Sequence, residues 1–126
     1  NSGLYNKVNA SFKSSDQTYK TVTVEGIVWF KDDISSCLKK KDEIVKELSS
    51  LFKNQQSEDE GKRVHFIDKN SYTHGYNIYF GNTNDWPPDY ITVTCYDWSK
   101  DLRYWDHLRV AIIKKEYSEW LDKLSK

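Results

Sequence analysis

The spacing of apolar positions along this chain changes several times, and each change marks an element. From Tyr19, "YKTVTVEGIVWF" is dense in β-branched and aromatic residues and alternates through Val22, Val24 and Gly26, which predicts a strand over 19 to 30. Gly26 within it predicts a bulge or bend. In "DDISSCLKKKDEIVKELSSLFKN" the period becomes helical: Ile34, Cys37, Leu38, Ile44 or Val45, Leu48, Leu51 and Phe52 share one stripe, with charges opposite. Asp32 and Asp33 stand at its front, where they cap the helix and complement its dipole.

"QQSEDEGK" (55 to 62) reads as a polar loop, after which "RVHFID" (63 to 68) alternates again. "KNSYTHG" makes a turn and "YNIYF" (76 to 80) returns, so 63 to 80 predicts a hairpin. A further strand, "YITVTCY" (90 to 96), places Ile91, Val93 and Cys95 on one face. "HLRVAII" (107 to 113) fits either a last strand or the first turns of a helix, and its β-branched residues favour the strand. From Lys114 onward, Tyr117, Trp120, Leu121 and Leu124 are helically spaced and predict a short terminal helix. Residues 1 to 18, rich in Asn, Ser and Lys, predict a flexible arm ahead of one domain over 19 to 126.

The element order is therefore β-α-β-β-β-(β)-α. A long helix in the groove of a curved antiparallel sheet of four to five strands buries both amphipathic faces, giving a two-layer α+β fold. This order resembles cystatin-like folds, in which a helix follows the first strand and a meander follows the helix. The resemblance covers topology and no motif. "NSYTHG" stands in place of the cystatin family's Gln-x-Val-x-Gly, and "DWPP" has its Trp before the prolines instead of a Pro-Trp pair. Inhibition of cysteine proteases is accordingly a minor reading.

A length of 126 residues fits one core. Lys and Arg number 19 and so do Asp and Glu, so no net field draws in nucleic acid or an acidic membrane. Charges of both signs are interleaved, as in "KKKDEIVKE" and "KKEYSEWLDK", the pattern of solvated helix faces. No apolar run approaches the ~20 residues of a membrane span. The chain starts at Asn1 and contains no Met, so it is expected to be processed, as by removal of a secretion signal, or excised from a longer chain.

Cys37 and Cys95 are the only cysteines, and their even number without metal spacing points first to a disulfide and second to two buried thiols. A disulfide and the tripeptide Asn9-Ala10-Ser11, an N-glycosylation acceptor, both lean toward a secreted protein. No metal site or cofactor is expected. The glycines occur singly, without a phosphate-binding loop, and neither a Gly-x-Ser-x-Gly elbow nor a His-Glu-x-x-His pair is present. Asp85 and Asp89 bracket "WPP" like a carboxylate pair but more readily cap turns. No constellation points to an enzyme.

What stands out is aromatic content: five Trp, nine Tyr and five Phe. Such residues fill cores and also serve as rigid contact anchors. Trp86 and Tyr90 flank two prolines in a turn-forming loop, where Trp86 is either a contact held out for a partner or a lid folded over the sheet. Trp98, Tyr104 and Trp105 form a second aromatic loop, and Tyr76 adds a turn-proximal ring. The two loops should leave strand 90 to 96 from opposite ends. The reading is a secreted, non-enzymatic recognition domain that binds a protein partner through Trp86, Tyr90, Trp98, Tyr104, Trp105 and Tyr76. Alternatives are an intracellular, immunity-type inhibitor of a toxin or enzyme, and one domain of a larger extracellular chain.

Overall fold

Backbone pairing, more than side-chain pattern, sets the extent of the sheet. A computed structural model describes residues 5–12, 21–81, 88–115 and 118. Among the described residues are six strands: β1 (Lys7–Phe12), β2 (Thr21–Trp29), β3 (Gln56–Val64), β4 (Tyr72–Phe80), β5 (Asp89–Asp97) and β6 (His107–Ile113). They form one sheet in the order β1-β2-β6-β5-β4-β3, every neighbouring pair antiparallel. One helix, α1 (Ile34–Leu51), joins β2 to β3 and lies against β5 and β6. The fold is α+β in two layers, and 107 to 113 is a strand.

The expected count of four to five strands falls short at two edge segments: β3 shows no apolar alternation, and the short alternation of Val8, Ala10 and Phe12 in β1 is set in an Asn-, Ser- and Lys-rich stretch. Residues read as a flexible arm contain β1, whose pairing with β2 runs from Lys7 opposite Ile27 to Phe12 opposite Thr21. The polar stretch 55 to 62 is largely strand: β3 is exposed along its length except at Glu60, so its side chains had no reason to alternate. Gly61, at φ +66°, sits where the β3 register shifts, a bulge that twists this edge. Beyond Val64 the chain leaves the sheet, and Asp68 closes a turn by accepting from Asn70 N (3.2 Å) and Ser71 Oγ (2.6 Å). "KNSYTHG" accordingly ends as strand, since β4 begins at Tyr72.

Gly26 makes no bulge. It pairs regularly with Val8 and Val110, and its missing side chain admits the Tyr5 ring, because a Cβ there would lie 2.7 Å from Tyr5 Cδ1. Burial raises the pKa of Tyr5, against the opposing pull of Lys40.

The core lies between α1 and one face of the sheet. Cys37 and Ile44 of α1 meet Ile91, Val93 and Cys95 of β5 and Leu108 of β6. Asp33 caps the helix, Oδ1 accepting from Ser36 N at 3.1 Å and Oδ2 from Ser36 Oγ at 2.6 Å, and these bonds hold its carboxyl below the usual range. Leu51, expected on the buried stripe, is 74% exposed at the helix end. Phe52 takes the inward place, its ring edge-on to Phe80 with centroids 5.1 Å apart. Lys41 is the converse: it lies on the stripe and is buried, its stem serving as apolar surface. Cys37 and Cys95 form a disulfide with Cα atoms 6.1 Å apart, fastening α1 to the C-terminal part of β5.

Of the terminal helix expected after Lys114, Lys115 and Ser118 are helical, with Ser118 N donating to Lys114 O. Tyr117, Trp120, Leu121 and Leu124 lie outside the described residues, as does Trp86.

Candidate functional site

Directly opposed residues of an antiparallel sheet point to the same side, so the register defines rows across the face away from α1. One row runs Trp29, His107, Tyr96, Thr73, Arg63 through β2, β6, β5, β4 and β3. Its aromatic half continues into loops at the same end of the sheet. Tyr96 and His107 stack with centroids 4.5 Å apart, and Trp29 meets His107 at 5.3 Å. Trp98, just past β5, stacks on Tyr96 and receives the edge of Tyr104 at 5.2 Å. Trp105, just before β6, stands edge-on to Trp29 at 6.3 Å.

Specific polar bonds hold this cluster. The Asp106 carboxylate accepts from Trp98 N at 2.9 Å, while the Asp106 carbonyl accepts from Phe30 N at 2.9 Å, tying the loop to β2. Ser71 Oγ accepts from Ser99 N at 2.8 Å and anchors the other side. Burial raises the Asp106 pKa, and the Trp98 N–H partly offsets this. Two residues at this end adopt left-handed backbone without being glycine, Lys31 (φ 23°) and Arg103 (φ 56°). Lys31 places its ammonium 5.9 Å from the centre of the Trp105 ring.

Trp29, Trp98, Arg103, Tyr104, Trp105 and His107 thereby enclose a concavity of about 510 Å³. Its outer wall is open to solvent, with Tyr104 at 59% and Trp105 at 50% exposure. Trp98 also packs against His65, which meets Tyr96 as well and stacks on Phe66, 90% exposed on the adjoining turn.

His107 responds to pH within this cluster. Its Nδ1 lies 3.4 Å from Trp98 Nε1 and 3.3 Å from the Trp105 carbonyl, so it accepts from the indole when bare and donates to the carbonyl when protonated. Burial lowers its pKa, the Trp105 carbonyl pulling the other way; burial likewise lowers that of His74. Both ordinarily titrate at 6.5. Below that pH the unfolded chain takes up protons that the native state resists, so this stability is full above 6.5 and falls with acidification toward the lower native values. Melting temperature is expected to fall between about pH 7 and about pH 5, and His107→Phe to flatten part of that slope. An unaltered slope in the variant would assign the effect to other groups.

The structure brings together Trp98, Tyr104 and Trp105 and adds Trp29, His65, Phe66 and His107. Trp29 was legible only as a strand residue; its register opposite His107 is what places it here. Tyr90 faces the same side but at the other end of β5, its ring 5.8 Å from Tyr79. Tyr76 faces α1, its Oη 3.5 Å from Ser49 Oγ. Asn9 lies in β1 and its Nδ2, the atom that would carry a glycan, donates to Glu25 at 3.0 Å. Asp89 closes no local turn with these bonds: it accepts from Lys114 Nζ at 2.8 Å and Lys115 N at 2.7 Å, tying the start of β5 to the chain just past β6. Among the described residues no group of three or more His, Cys, Asp or Glu is placed to hold a metal ion, and no helix is long and apolar enough to cross a membrane.

Comparison of the chain with protein-family models, curated proteins and solved structures finds no match. Function is therefore read from the site itself.

Proposed function

We propose that this chain is a secreted, non-enzymatic recognition domain that binds a protein partner through the aromatic end of its sheet. The observation that carries the reading is the convergence of Trp29, Trp98, Tyr104 and Trp105 around one open concavity, with half of the Trp105 surface in solvent. Large aromatic side chains already held in place lose little entropy on binding, and Trp and Tyr dominate interface energetics. An apolar side chain of the partner fits the concavity, with Lys31 and Arg103 at its rim. The Cys37–Cys95 disulfide suits an oxidising compartment.

The test is site-directed photo-crosslinking in extracellular fluid of the producing cells. A photoreactive phenylalanine replacing Tyr104 is expected to capture one discrete protein, and the same residue replacing Lys46, on the exposed side of α1, to capture none. Equal capture from both positions, or from neither, contradicts the reading.

A further inference from the structure

The sheet face away from α1 has a second concavity, nearer its centre, whose shape follows from side-chain size. Asn77, Thr92 and Thr94 occupy neighbouring positions there, while Tyr79, Tyr90, Tyr96 and Arg109 stand around them. Small residues inside a ring of large ones leave a pocket of about 460 Å³, within the ~300–1,000 Å³ of small-molecule sites.

The chemistry of the floor differs from that of the α1 side. Asn77, Thr92 and Thr94 are 7%, 7% and 8% exposed, so three buried positions carry polar groups where Ile and Val line the opposite face. Burial of such groups is unfavourable unless they are hydrogen-bonded. Thr92 and Thr94 share one hydrogen bond at 3.0 Å, which uses one hydroxyl hydrogen and leaves the other to donate elsewhere. Asn77 Nδ2 donates to Tyr79 Oη at 3.2 Å, leaving its side-chain carbonyl as an acceptor. The floor thus offers both a donor and an acceptor.

The charges of the wall are already matched. Arg109 Nε pairs with Glu25, which also accepts from Asn9, and Arg63 pairs with Glu60 at 3.1 Å. A charged ligand would find no counter-charge in these pairs without breaking one. A neutral, hydroxyl-rich molecule with an apolar side needs none. We infer that this pocket binds a neutral sugar residue, free or at the end of a glycan. Asn77, Thr92 and Thr94 hydrogen-bond its hydroxyls, and the rim tyrosines cover its C–H face. The site is separate from Trp105 and goes beyond the partner-binding reading.

The test is an NMR titration of the isotope-labelled chain with glucose, galactose, mannose and N-acetylglucosamine, their methyl glycosides, and glucuronate. At least one neutral sugar is expected to shift the Asn77 side-chain amide and the Thr92 and Thr94 backbone signals saturably. Thr94→Val, which keeps shape and removes the hydroxyl, is expected to weaken binding by up to about tenfold, the worth of one hydrogen bond. Should that variant misfold, Thr92→Val removes the neighbouring floor hydroxyl and is expected to weaken binding too. Trp105→Ala is expected to bind as the wild type does, so the two sites can fail independently. A methyl glycoside binding as well as its parent sugar supports a glycan terminus, and binding of the parent alone supports a free sugar. No response to any neutral sugar, equal or tighter binding of glucuronate, or unweakened binding by the folded variants overturns the proposal.

Discussion

Opening the Cys37–Cys95 bond is expected to lower stability by about 4 kcal/mol, through the chain entropy released when the loop it closes is freed. The bonded residues are 58 apart in sequence, and both are fully buried, so the bond constrains much of the unfolded chain while occupying core volume in the native one. Cys37→Ala, Cys95→Ala and the double variant should lose nearly the same amount, since each removes the same cross-link. Denaturant midpoints at comparable m-values measure it. Losses that differ by more than about 1 kcal/mol would mean that local packing outweighs the cross-link.

The second large effect separates two tryptophans of one cluster. Trp105 stands half in solvent, so Trp105→Ala is expected to weaken partner binding by about thirtyfold, the ~2 kcal/mol of an interface hot spot, with the melting temperature nearly unchanged. Trp98 contacts the rings of His65, Tyr96, Tyr104 and His107, so Trp98→Ala is expected to lower stability by about 3 kcal/mol, the low end for deleting a large aromatic side chain. Calorimetry of both variants, followed by partner titration, checks the contrast. A marked loss of melting temperature in Trp105→Ala would make it a packing residue and remove the main support for the aromatic end as a contact surface.

Whatever buries one apolar face was legible in the sequence. The stripe of α1, the alternation of β5 and the β-branched β6 each had to fit a core, and that need writes a period into the residues. The β3 edge has no such need; it exists because backbone groups of β4 offer partners, and main-chain pairing leaves no period behind, while in β1 the alternation of Val8, Ala10 and Phe12 is too short to stand out from its polar surroundings. Lys41 was hidden for a related reason, because a lysine stem does apolar work under a charged name. The candidate site was half legible. Trp98, Tyr104 and Trp105 announced themselves as a loop, but Trp29 and His107 join them only through cross-strand register, which no local pattern encodes. The polar pocket was invisible for the same reason, since Asn77, Thr92 and Thr94 lie on different strands or alternate with core residues.

The strand order also constrains when the molecule can be assembled. β6 lies between β2 and β5, so the central ladder joins an early strand of the chain to the last one described. During synthesis, β2 emerges just after β1 and waits with one edge unfilled until His107–Ile113 leaves the ribosome, while α1 and β3 to β5 are already available to pack. Both cysteines precede β6, so oxidation can fasten α1 to β5 while the slot beside it is still vacant. A nascent chain halted before His107 would carry two exposed inner edges, a state prone to pairing with its neighbours instead of itself.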